Sequence, residues 1–126
     1  MSSLSVLIVD DSTTTVKNLS KVMETLGHRI AGTCDSGKQA LEEYSRLKPD
    51  LVTMDITMPD MDGITATREI LSADPDALIV MVTSHGQRQV VIDAVEAGAK
   101  SYILKPFNQA KVEETIEKVR EKYLSP

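Results

Sequence analysis

The sequence predicts an α/β fold of (βα)5 type: a doubly wound parallel five-stranded sheet between two layers of helices, a three-layer sandwich. Three observations lead there. Five short apolar runs recur at near-regular intervals, their starts 23, 22, 27 and 23 residues apart. The segments between them carry a helical period. Intervals of that length cannot be hairpins, so successive strands are joined by crossovers and run parallel.

The elements follow in order. Val6–Val9 is an unbroken apolar run, as expected of a strand buried on both faces. Val16, Leu19, Met23 and Leu26 then form one helical stripe, with Asp11 or Ser12 as its cap and Gly27 as its stop. Arg29–Thr33 is the second strand, and Gly37–Leu47 a helix with a weaker stripe, stopped by Pro49. The third strand is Leu51–Met54, apolar but for Thr53, followed by a short helix around Ile64–Leu71. Leu78–Val82 is the fourth strand; Val90, Val91, Ala94 and Val95 give the next helix its stripe, and Gly98 closes it. Ser101–Leu104 is the fifth strand, and Val112, Ile116, Val119 and Tyr123 mark the last helix. The Met-Ser-Ser start and Leu-Ser-Pro end are expected to fray.

Composition narrows the function. The 126 residues make one domain's worth of chain, read as a single domain over 1–126 with its core at about 4–123. A net charge of −5 disfavours direct binding to nucleic acid or to anionic membrane. The longest apolar run, Ala77–Val82, is far short of the roughly twenty residues that span a bilayer. No basic residue precedes Lys17, so a signal segment is not expected. One cysteine, Cys34, excludes an internal disulfide, and two distant histidines speak against a zinc centre. The expectation is a small acidic cytoplasmic domain.

In an open parallel sheet, ligands bind beyond the carboxyl ends of the strands. Strand one ends in Asp10-Asp11-Ser12, strand three in Asp55, strand four in Thr83-Ser84-His85-Gly86, and strand five in Lys105-Pro106. Strand two ends in Cys34-Asp35-Ser36, which is ordinary turn and cap chemistry. Singly, each of the others has an ordinary explanation too: a cap, a turn, β-propensity, a solvated lysine. Together they place three carboxylates, a hydroxyl and an ammonium at one edge. Clustered carboxylates need a proton or a cation, and oxygen-only donors favour a hard ion, Mg²⁺ before Ca²⁺. Such a set suits a phosphoryl group made or held there. An aspartate can form an acyl phosphate, and Asp55, ending the central run, is the best nucleophile.

The blocks V-L-I-V-D-D (6–11), D-I-T-M-P-D-M-D-G (55–63), V-T-S (82–84) and K-P-F (105–107) are similar to the receiver domain of response regulators, from about Leu4 to Tyr123. With no effector domain following, the chain most resembles a free-standing regulator of the chemotaxis CheY type. The resemblance implies a flavodoxin-like sheet of order 2-1-3-4-5. It implies a phosphorylation-activated switch of a two-component system, not an enzyme acting on external substrates. Asp55 would accept the phosphoryl group from a CheA-like histidine kinase. Mg²⁺ would bind the carboxylates of Asp11 and Asp55 and the backbone carbonyl of Thr57, with Asp10 acting through a metal-bound water. Lys105 would pair with the phosphoryl oxygens, Thr83 would donate its hydroxyl, and Ser84 its backbone N–H. The Lys105–Pro106 bond would be cis.

The added charge would draw Thr83 inward, letting Tyr102 rotate from a solvent-facing rotamer and changing the face of helix four, strand five and helix five. Arg88, Val91, Val95, Tyr102 and Leu104 would present that face to a partner, the flagellar motor switch protein. The resemblance further implies a monomer and leaves a phosphatase partner open. Two positions depart from the best-known chemotaxis regulator: Thr57, two residues past Asp55, and His85, two past Thr83. In this family both positions tune acyl-phosphate lifetime. A haloacid-dehalogenase-type phosphatase would need a second aspartate where Thr57 stands. A phosphorelay shuttle, passing phosphate to a histidine phosphotransfer protein, stays open as the alternative.

Overall fold

The computed structural model describes residues 3–124. The frayed ends expected at Met1, Ser2, Ser125 and Pro126 therefore lie outside the described residues. The chain alternates β1 (Ser5–Val9), α1 (Thr13–Thr25), β2 (Arg29–Cys34), α2 (Gly37–Leu47), β3 (Leu51–Met54), α3 (Gly63–Ala73), β4 (Ile79–Thr83), α4 (Arg88–Glu96), β5 (Ser101–Leu104) and α5 (Gln109–Tyr123). All four strand pairings are parallel, in the order β2-β1-β3-β4-β5. The direction of winding reverses between β1 and β3, which sit side by side with Val9 opposite Met54.

Unbroken apolar strands have two faces to bury, and here both are used. Leu7, Val9, Val52, Met54, Ile79 and Met81 face a cluster with Ala40, Tyr44, Ala66, Ile70 and Ala94, from α2, α3 and α4. Val6, Ile8, Leu51, Val80, Val82 and Ile103 face the other way, onto Leu19 and Met23 of α1 and Val112, Ile116 and Val119 of α5. Period-two alternation sends neighbouring residues to opposite sides, so a strand under two helix layers is apolar throughout.

The helix ends are set by local chemistry. Ser12, rather than Asp11, caps α1, its hydroxyl accepting the Thr15 N–H at 3.3 Å. Ser36 and Asn108 do the same for α2 and α5. Gly27 and Gly98 follow α1 and α4 with φ of +91° and +109°, a left-handed backbone that glycine enters without Cβ strain. Lys48 closes α2 with φ +46°, immediately before Pro49.

Two stripes read from the sequence are only half right. Of the α4 residues Val90, Val91, Ala94 and Val95, Ala94 alone is fully buried, and Val95 is 57% exposed. The short α4 lies so that its small residue meets the sheet, Val90 and Val91 are partly buried and Val95 turns outward. In α5, Tyr123 leaves the buried stripe at 40% exposure and lies under the ammonium groups of Lys100 and Lys122.

Candidate functional site

The carboxyl edge of the sheet gathers Asp10 and Asp11 after β1, Asp55 after β3, Thr83 at the end of β4 and Lys105 after β5. Each of the three aspartates offers an oxygen, and those oxygens lie within 4.8 Å of one another. Asp10 and Asp55 are buried and Asp11 is exposed. The parallel pairing of β1 with β3 causes this, since the Asp55 N–H continues the ladder onto the Val9 carbonyl at 2.9 Å. Adjacent residues of one strand leave on opposite sides, which separates Asp10 from Asp11 in burial.

Lys105 reaches in from the fifth strand. Its Nζ stands 2.8 Å from Asp10 Oδ2 and 3.4 Å from Asp55 Oδ2, and Lys105–Pro106 is cis. The remaining oxygens are partly held: Asp10 Oδ1 accepts the Ser12 N–H at 2.8 Å, and Asp55 Oδ1 accepts the Ile56 N–H at 2.8 Å. One ammonium balances one of three carboxylates. At this spacing the two that remain repel by about 3 kcal/mol at an effective dielectric near 20. A divalent cation relieves that repulsion. The donor set is all oxygen, without histidine or cysteine, and so fits Mg²⁺.

The loop between β3 and α3 is pinned at three points. Gly63 packs so closely on the chain after Asp55 that a Cβ there would stand 1.9 Å from the Asp55 carbonyl oxygen. Only glycine permits this approach, and the Gly63 N–H donates to the Ile56 carbonyl at 2.7 Å. Asp60 reaches back to the start of α2, accepting the N–H groups of Gly37 and Lys38 at 3.0 and 2.9 Å. The Lys38 bond leads in holding this carboxyl below its ordinary range. Asp62 caps α3 through the Thr65 N–H and hydroxyl, both at 2.8 Å. Partial burial pushes the Asp62 carboxyl up, but these bonds and the Arg68 charge outweigh it and the net shift is downward. The sequence carried these residues within its D-M-D-G block; what it could not supply was the contact that explains the glycine.

Thr83 is fully buried, and its Oγ1 accepts the His85 N–H at 3.3 Å. Ser84 is exposed beside it. His85, on its other side, shares a 2.7 Å hydrogen bond between Nε2 and Thr57 Oγ1. Tyr102 differs from expectation: its ring is partly buried against the α4 side of the core, and its hydroxyl donates to the His85 carbonyl. A tyrosine with apolar neighbours and a carbonyl within reach satisfies both ends of its side chain this way. Burial first, and then the Asp55 charge, raises its hydroxyl's pKa. Leu104 lies on the same face of β5 and is 48% exposed, and Arg88 is exposed at the start of α4. The three aspartates and Lys105 thus converge at one edge of the sheet.

The fold carries an acidic triad and a lysine at its switch point, and the family model of the response regulator receiver domain matches residues 6–117. The chain belongs to the response regulator receiver family. It is 46% identical over 114 residues to the chemotaxis protein CheY of Thermotoga maritima, covering 90% of this chain and 95% of that one. The Bacillus subtilis CheY is likewise 46% identical, over 113 residues, 90% of this chain and 94% of that one. Among solved structures, the CheX–CheY–BeF3–Mg²⁺ complex from Borrelia burgdorferi superposes with a TM-score of 0.89. Its identity is 41%, over 91% of this chain and 87% of that one. A CheY-like receiver from Methanospirillum hungatei gives 0.88 at 27% identity, over 99% and 100%. The chain is therefore a CheY-like receiver domain, consistent with phosphorylation-activated signalling. No helix among the described residues is long and apolar enough to cross a membrane.

Proposed function

We propose that this chain acts as a cytoplasmic switch of a chemotaxis-type two-component system, phosphorylated on Asp55. The observation that carries this is the gathering of Asp10, Asp11 and Asp55 within 4.8 Å, with Lys105 Nζ 2.8 and 3.4 Å from two of them.

An Asp55 carboxylate oxygen attacks phosphorus as the P–N bond of a kinase phosphohistidine breaks, and the histidine leaves carrying the ring's electron pair. The chain carries out this transfer on itself and turns over no other substrate. Asp11, Asp55 and the Thr57 backbone carbonyl would hold Mg²⁺, with Asp10 engaging it through water. Bound there, the ion supplies positive charge to the developing phosphoryl oxygens. Lys105 already lies beside Asp55 and would add a second positive charge. The Thr83 hydroxyl and the Ser84 N–H lie on the next strand's end, ready to donate to the transferred oxygens.

The readout is the face around Tyr102. Val95 and Leu104, at 57% and 48% exposure, are large apolar side chains left in solvent, with Val91 half-buried and Arg88 exposed beside them. Phosphorylation changes this face for a downstream protein, the flagellar motor switch, a reading supported by the similarity to chemotaxis CheY proteins. The Borrelia relative's complex with CheX supports a second partner that acts on the loaded state.

Replacement of Asp55 by asparagine is expected to abolish labelling by acetyl phosphate or phosphoramidate with Mg²⁺ present, read by intact mass. Labelling retained at another aspartate would move the acceptor. Capture with the phosphorylated chain is expected to retain a motor switch protein; capture of a histidine phosphotransfer protein instead would make the chain a shuttle.

A further inference from the structure

His85 touches three elements of the switch at once. Its ring Nε2 bonds Thr57 Oγ1 at 2.7 Å, on the loop after β3. Its backbone N–H donates to Thr83 Oγ1 at 3.3 Å, at the end of β4. Its carbonyl accepts the hydroxyl of Tyr102, on β5. The next residue, Gly86, lies against Leu104: a Cβ there would come within 3.1 Å of Leu104 Cδ2. No other side-chain bond joins the loop after β3 to the loop after β4 among the described residues for which bonds are given.

Resting on the phosphoacceptor reading above, we propose that His85 is a positioning residue: its ring bond to Thr57 couples the cation-binding loop to the Tyr102–Leu104 face. The Thr57 backbone carbonyl is the position that would meet the cation, and its side chain, on the same residue, holds the His85 ring. Any displacement of the loop on cation binding therefore pulls on His85. A displacement passed from the ring to the His85 backbone moves the carbonyl that Tyr102 is bonded to. The face consequently responds to Mg²⁺ alone, before any phosphoryl group is present.

The test is a Mg²⁺ titration of isotope-labelled protein without a phosphoryl donor, following backbone amide shifts. In the native chain, amides at Asp11 and Asp55 are expected to shift, together with those of Tyr102 and Leu104. In His85→Ala the local shifts stay while the Tyr102 and Leu104 response is lost. His85→Gln, whose amide reaches the position of Nε2, restores it. Persistence of the remote response in His85→Ala, or failure of His85→Gln to restore it, overturns the coupling. So does its absence from the native chain while Asp11 and Asp55 still respond. In all three cases the phosphoacceptor reading stands. Silence at Asp11 and Asp55 in the native chain overturns both.

Discussion

Asp10 and Asp11 are neighbours in sequence with opposite circumstances. One is buried and bonded to Lys105; the other stands exposed at the mouth of the site. Gly63 decides where Asp55 sits, because the α3 start is pressed onto the Asp55 carbonyl. Gly63→Ala forces one of those segments aside. It is expected to cost about 1–3 kcal/mol, the usual range for overpacking, read by urea denaturation, and to slow Asp55 phosphorylation. Cys34 is a contrast, a buried thiol near the site that takes no part in it. Burial, followed by the charges of Glu43 and Asp35, raises its pKa to about 11. The thiolate is the reactive form, so a thiol reagent at pH 8 is expected to modify the native chain far more slowly than the urea-unfolded one.

At the scale of elements, the β3–α3 connection carries the most chemistry per residue. Besides Asp55 it carries two carboxylates, Asp60 and Asp62, both spent on helix N-termini, one on α2 and one on α3. Asp62→Ala is expected to cost about 1 kcal/mol, the typical loss for an N-cap. Because the Asp62 pKa is lower folded than unfolded, its contribution is present above the unfolded value and fades as pH falls through the folded one. Asp62→Asn keeps a capping oxygen and is expected to remove that pH dependence, visible in denaturation midpoints between neutral and acid pH. The α4 helix shows the limit of reading periodicity. Its valine stripe has the spacing of a core face, yet Val95 points to solvent. Spacing defines a face of a helix but not its rotation about its axis, which packing against β4 and β5 decides.

For the whole molecule, the two helix layers differ in what they serve. The α1–α5 side is closed at its lower edge by His28, whose Nδ1 accepts the Leu4 N–H at 3.1 Å. Burial, then the Arg120 charge, lowers the His28 pKa from 6.5, with Glu117 opposing. A histidine held neutral in the fold and free to protonate when unfolded leaves stability intact above pH 6.5. That stability declines as pH falls from there through the lowered folded value. Thermal midpoints are expected to drop across that window in the native chain and to drop less in His28→Gln. The α2–α3–α4 side holds the switch instead, with Tyr102 packed under it and Val95 and Leu104 at its rim.

The order of strands and helices and the identity of each strand end were legible in the sequence. Both follow from local rules: a strand under two helix layers is apolar throughout, and turns and caps are short-range chemistry. The four motif blocks likewise named the acids and the lysine. Their meeting was another matter. Which oxygens lie within 4.8 Å, and that Lys105 rests between Asp10 and Asp55, depend on the register of β1 against β3 and on β5's place at the far edge. The inward Tyr102 and the ring bond between His85 and Thr57 were invisible to local pattern as well. Each is a contact between segments well apart in the chain, and only the packed molecule selects among the rotamers and orientations that the same spacing allows.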